Sequence, residues 1–102
     1  MPIEWSARAR ADLSNLRDYI AKDSPVYARR VSERIIAAVG KLADFPEMGR
    51  RLPEAGNRDD LRELIHHDYR IIHLAKPGRI VIVTVVHGRR DLTGEPWERI
   101  GD

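Results

Sequence analysis

The sequence predicts an α+β domain: an N-terminal strand, an antiparallel helical hairpin, then a three-stranded antiparallel meander, with the helices on one face of the sheet. Three observations predict it. Two early stretches carry apolar residues spaced by three and four, each behind a serine able to cap a helix. A proline- and glycine-punctuated stretch follows. Three short apolar runs separated by turn residues then close the chain. With 102 residues the chain is read as one domain over 1–102, with 91–102 a polar C-terminal tail.

Each element has its own local reason. Ile3-Glu4-Trp5 alternates apolar and polar residues, as a short strand does. Ser6 caps a helix whose stripe is Ala9, Leu13, Leu16 and Ile20. Lys22-Asp23 is a tight break. Ser24-Pro25 restarts the chain as a cap followed by proline at the first helical position, where the missing N–H costs nothing. The second stripe is Val31, Ile35, Ala38 and Leu42, widened by Ile36 and Val39. It should stop near Asp44, because Pro46 disfavours helical geometry in the residue before it. So short a connection makes the two helices antiparallel. Phe45 to Asp60, with Pro46, Gly49, Pro53, Gly56 and Asn57, reads as a loop. Leu61 to Ile65 is a strand, His66-His67-Asp68 a turn, and Tyr69 to Leu74 a second strand. After the Lys76-Pro77-Gly78 turn comes a third, Arg79 to His87. Its Ile80-Val81-Ile82-Val83 core has no polar face, which predicts burial on both sides in the middle of the sheet. Beyond Gly88 only Leu92, Trp97 and Ile100 interrupt polar residues.

Composition narrows the chemistry. Hydrophobic residues make up 42% and charged residues 33%, the balance of a packed core under a charged surface. There is no cysteine, hence no disulfide, thiolate metal site or thiol nucleophile. The longest apolar run, Ile80 to Val86, is broken by Thr84 and falls far short of the roughly 20 residues of a membrane span. The N-terminus lacks the basic-then-apolar order of a signal peptide, so a soluble cytoplasmic protein is expected. His66, His67, His73 and His87 do not fall at metal-ligand spacing, and no metal site is expected. No glycine-rich phosphate loop is present, and Ser6, Ser14, Ser24 and Ser32 all lie in or beside helices.

The charges are more informative. The net is only +2, but fifteen of the eighteen basic residues are arginine, whose planar fork suits phosphate and carboxylate. From Arg62 to Arg90 there are six basic and two acidic residues. The tail from Asp91 to Asp102 holds four acids and Arg99. Arg70 alternates with the apolar residues of its strand and shares a face with Ile72 and Leu74, so it must end the strand or meet an acidic or phosphate partner. His87-Gly88-Arg89-Arg90 ends the last strand. An imidazole with several guanidinium groups is what 2′-hydroxyl attack on an RNA phosphodiester needs: a proton carrier, and cations for the phosphorane. The same residues also read as a strand end with arginines solvated or paired to Glu63 or Asp91.

An ordered set of residues resembles the RelE/ParE-type toxins of bacterial type II toxin–antitoxin systems. It comprises Trp5-Ser6, Ala9, Asp12-Leu13 and Tyr19-Ile20; Leu42, Pro46 and Gly49-Arg50; Leu61-Arg62-Glu63-Leu64; Tyr69-Arg70-Ile71-Ile72; and Val85-Val86-His87-Gly88-Arg89-Arg90. The long helical hairpin and the spacing of Pro46 and Gly49-Arg50 resemble the ParE side more closely. That side implies inhibition of DNA gyrase by protein–protein binding, without bond chemistry and without a cofactor. Arg62, Arg70, Arg89, Arg90 and Trp97 are then the partner-binding candidates, with the helix face of Arg29, Arg30, Glu33 and Arg34 beside them. The resemblance also implies a cognate ParD-like antitoxin, through which alone operator DNA would be met, and no membrane. Arg62, Arg70 and the helical hairpin are expected to contribute to the antitoxin contact. The alternative is a ribosome-dependent, metal-independent mRNA endonuclease like RelE, with His87, Arg70, Arg89 and Arg90 as catalytic candidates. The terminal tyrosine of that side is absent, Trp97 being the nearest aromatic, and Arg62 stands where its mid-strand lysines are expected.

Overall fold

Ser6 and Ser24 begin the two helices as their positions require. Ser6 Oγ accepts the Ala9 N–H at 3.0 Å, and its hydroxyl donates to the Val83 carbonyl at 2.9 Å, so one side chain caps a helix and ties it to the sheet. Ser24 Oγ accepts the Tyr27 N–H at 3.1 Å, with Pro25 in the first turn. In the computed structural model, which describes residues 1–100, these caps open α1 (Ala7–Ala21) and α2 (Pro25–Gly40), which α2 extends as a short 3-10 turn, Lys41–Ala43. Around them lie β1 (Ile3–Trp5), β2 (Arg50–Arg51), β3 (Leu61–His66), β4 (Tyr69–Lys76) and β5 (Arg79–His87). No helix among the described residues is long and apolar enough to cross a membrane.

The five strands form one sheet in the order β1-β5-β4-β3-β2. The meander β3-β4-β5 is antiparallel, as its turn residues predict, and β1 adds alongside β5 in parallel. The apolar run of β5 is interior to the sheet, but β4 holds the middle position. Two further pieces lie in the stretch expected to be loop: β2, and a 3-10 turn at Pro53–Ala55. β2 exists because Gly49, at φ +93°, lets the chain press against β3. A Cβ there would lie 2.3 Å from the Glu63 carbonyl oxygen.

Strand alternation divides the core in two. On the helix side, Ala9, Val31, Ile35, Val39 and Leu42 pack on Ile71, Ile80, Ile82 and Val85. Ile36, expected to widen this stripe, turns outward and is 50% exposed, because the sheet meets α2 only along the line through Val31, Ile35 and Val39. Asp12 fastens α1 to β5 by accepting from the Thr84 hydroxyl and, at 3.1 Å, from the Val85 N–H.

The other side takes in the apolar residues of the tail. Leu92 and Trp97 fold back over Leu52, Leu61, Ile72, Leu74, Val83 and Val86, making a second apolar layer. The face is covered because β4 and β5 are apolar on both sides and would otherwise present a bare patch to water. Arg58 holds the closing turn, Trp97–Arg99, by donating to the Trp97 carbonyl and to the Ile100 carbonyl at 2.9 Å, while pairing with Asp60 at 2.6 Å. Arg8 of α1 reaches Glu95 at 2.8 Å. The last two tail positions, Gly101 and Asp102, lie outside the described residues.

Candidate functional site

Arg70 points to the tail side of β4, among Ile72 and Leu74, and is 6% exposed. A guanidinium there requires carboxylates, and two are supplied. Glu63 sits on the same face of β3, diagonal to Arg70 because Ile65 is the register partner of Arg70. Arg70 Nε–H donates to Glu63 Oε2 at 2.6 Å. Glu54, from the turn at Pro53–Ala55, receives Nη1–H and Nη2–H at 2.7 Å each, a two-bond fork. Nη1 also donates to the Arg90 carbonyl at 2.8 Å, and Glu54 accepts the Leu92 N–H at 3.0 Å. Glu63 takes a further bond from Arg50 Nε of β2. Four of the five guanidinium N–H groups are therefore spent inside the fold. The pairing holds the Glu54 carboxyl down at about 2, chiefly through the Arg70 bonds and further through the Leu92 N–H. The same bonds raise Arg70 above the usual arginine value, Glu54 first and Glu63 after it.

His87 lies elsewhere. It ends β5 as the register partner of Tyr69, and its ring meets the Tyr69 ring edge-on at 6.1 Å. Tyr69 packs toward the helix-side core, so His87 and Arg70 face opposite sides of the sheet. His87 Nδ1 accepts the Arg89 N–H at 3.2 Å, which leaves Nε2 to carry the proton of the neutral ring. The Arg89 and Arg90 side chains are exposed, while the Arg90 backbone belongs to the Arg70 network. The four residues proposed for phosphodiester chemistry are thus not brought to one spot.

Arg62 also parts from Arg70. It is half-buried on the helix side of β3, across from His73, with Leu64 on the same face. Trp97, expected as an anchor for a partner, is 6% exposed, and its Nε1–H donates to the Leu92 carbonyl at 3.1 Å. Its ring is committed to the chain's own second layer. Arg29, Arg30, Glu33 and Arg34 are all exposed along α2. Large apolar side chains join them at the surface: Tyr19, Val26, Tyr27, Ile36, Phe45 and Ile65. A recess with mostly apolar walls lies beside them at Asp44, Phe45, Pro46, Glu47 and Met48. Among the described residues no group of three His, Asp or Glu side chains is placed to hold a metal ion.

Sequence reasoning missed Glu54 and Arg58, since both lie in the stretch expected to be loop. The signal for a carboxylate was present: a charged residue alternating with apolar ones in a buried strand must have a partner.

With this geometry in hand, known proteins give a consistent picture. The family model for the ParE toxin of the type II toxin–antitoxin system parDE matches residues 3–92. Toxin RelE2 of Caulobacter vibrioides is 37% identical over 89 residues, 86% of this chain and 96% of that protein. Putative toxin Y4kP of Sinorhizobium fredii is 38% identical, over 86% of this chain and 88% of its own length. A structure of the chromosomal ParDE toxin–antitoxin system from P. aeruginosa superposes with a TM-score of 0.71 at 22% identity, covering 85% of this chain and 95% of that one.

Proposed function

This chain belongs to the RelE/ParE family of type II toxins, and from that premise we propose that it inhibits DNA gyrase by binding it and is neutralised by a ParD-like antitoxin. One observation carries the choice of a binding toxin over a nuclease. The imidazole and the central arginine that RNA cleavage would combine face opposite sides of the sheet, and four of that arginine's five N–H groups are taken by Glu54, Glu63 and the Arg90 carbonyl. A cation whose N–H groups are already bonded contributes little to a developing phosphorane. Arg89 and Arg90 remain exposed and suited to a protein interface, where arginine forks are frequent hot spots.

For the antitoxin, the helix side is the better surface. It offers exposed Tyr27, Ile36 and Phe45 with Arg29, Arg30, Arg34 and Arg62 around them, a combination that fits an acidic amphipathic segment. Arg70 drops out of that surface because it is buried on the other side.

The nuclease reading keeps one specific support. Two curated relatives, from Caulobacter vibrioides, carry the names RelE2 and RelE3, the latter 29% identical, and His87 is exposed beside Arg89. The test is a supercoiling assay with purified gyrase and relaxed plasmid. Binding inhibition predicts that supercoiling fails at near-stoichiometric toxin, that the antitoxin restores it, and that His87→Ala acts like the native chain. Undiminished supercoiling at large excess of toxin overturns the reading.

A further inference from the structure

A hollow of about 340 Å³ lies on the helix side, where the β3–β4 turn meets the first half of α2. Its walls are Tyr27, Val31 and Arg34 from α2 and His66, His67, Asp68 and Tyr69 from the hairpin. None of these residues belongs to the Arg70 network, and the hollow is on the opposite face of the sheet from it.

Three features of the hollow point to an anionic, aromatic occupant. First, His66 Nε2 is shut away from water and has no hydrogen-bond partner, although a buried polar nitrogen ordinarily has one. Second, burial disfavours protonation of the His66 ring, and the neighbouring His67, Arg34 and Lys41 act in the same direction. Arg34 makes no salt bridge among the described residues, and Asp68 at the turn is the one carboxylate in the wall. An oxyanion would accept from both His66 and Arg34 and relieve the two deficits together. Third, two tyrosines and two imidazoles line the cavity, the His66 and His67 rings standing edge to face at 4.6 Å. Such a wall suits a planar base. The volume is at the small end of the about 300–1,000 Å³ usual for small-molecule pockets, more room than a bare phosphate fills.

The turn itself is held in an unusual shape. His67 has φ +52°, a left-handed conformation that glycine or asparagine adopts more readily, in the turn whose two imidazoles line the hollow.

We propose that this pocket binds a single nucleotide unit, the phosphate against Arg34 and against His66 Nε2–H once the His66 ring turns to present it, and the base against Tyr27 and Tyr69. This goes beyond the toxin reading; it shares Tyr27 and Arg34 with the surface proposed for the antitoxin and adds the hairpin residues His66, His67 and Tyr69. The test is nuclear magnetic resonance of the isotopically labelled full chain, following the His66 ring and the Tyr27 and Tyr69 rings. Adenosine 5′-monophosphate should shift these signals saturably. Inorganic phosphate or adenosine alone should need at least about tenfold higher concentration, and Arg34→Gln should weaken the nucleotide by about tenfold or more. Because Arg34 is exposed, the amide spectrum away from the pocket should stay unchanged in that variant. Four results overturn the proposal: no saturable shift with the nucleotide, an affinity indifferent to Arg34→Gln, inorganic phosphate binding as tightly as the nucleotide, or an acidic peptide moving the His66 signals where the nucleotide does not.

Discussion

Arg70 and His87 stand at the same end of neighbouring strands yet point to opposite faces of the sheet. The pairing of Tyr69 with His87 and of Arg70 with Val86 fixes this, since paired residues share a face. One side chain is locked in the fold and the other ends a strand in the open.

The first prediction separates the two by stability. Arg70→Ala leaves Glu54 without its cation and Glu63 with Arg50 alone, which should cost about 3–5 kcal/mol. His87→Ala, at an exposed strand end, should stay within about 0.5 kcal/mol of the native chain. Denaturant unfolding of the two variants measures both.

These opposite outcomes also mark what was legible in the sequence. Helix starts at Ser6 and Ser24, the meander and its turns follow from local signals: caps, spacing and turn residues. The alternation of Arg70 with Ile72 and Leu74 foretold that it needs an acidic or phosphate partner. Which acid could not be read, because Glu54 arrives from a loop and is placed by tertiary contacts alone. Trp97 and Leu92 were hidden for a similar reason. Two apolar residues in a polar tail have no periodicity, and only the bare second face of β4 and β5 explains where they go.

Acid should loosen the tail. The folded Glu54 carboxyl is held at about 2, below its ordinary 4.5, so its contribution is complete above about 4.5 and is lost as pH falls toward 2. Asp60, held down by Arg58, and Glu95, held down by Arg8, act in the same direction. Stability measured from pH 6 downward should therefore fall, and Glu54→Gln should flatten part of that fall. An unchanged acid slope in Glu54→Gln would contradict the assignment.

Gly49 is predicted to tolerate no side chain. In Gly49→Ala the new Cβ meets the Glu63 carbonyl oxygen at 2.3 Å, and φ is +93°. The chain must draw away from β3, weakening the β2 pairing that Arg50 shares with Glu63. A loss of about 1–3 kcal/mol is expected, with faster amide exchange at Arg50 and Arg51. Native exchange at those amides would contradict it.

Trp97→Ala should behave as a core deletion, at about 3–5 kcal/mol, and not as the loss of a partner contact. Trp97→Phe, which keeps most of the apolar bulk but not the bond to the Leu92 carbonyl, should cost less and leave antitoxin affinity unchanged. Tight antitoxin binding lost in a fully folded Trp97→Phe chain would return Trp97 to the interface.

The central claim is that harm comes from holding gyrase and not from cutting RNA. Its most direct measurement is induction of the chain in a bacterial host, with covalent gyrase–DNA complexes and ribosome-bound mRNA quantified in the same culture. The account predicts that gyrase–DNA complexes accumulate, that mRNA stays intact, and that the antitoxin prevents both the complexes and the growth arrest. Rapid cleavage of ribosome-bound mRNA with gyrase complexes at their resting level, abolished by His87→Ala, would contradict it.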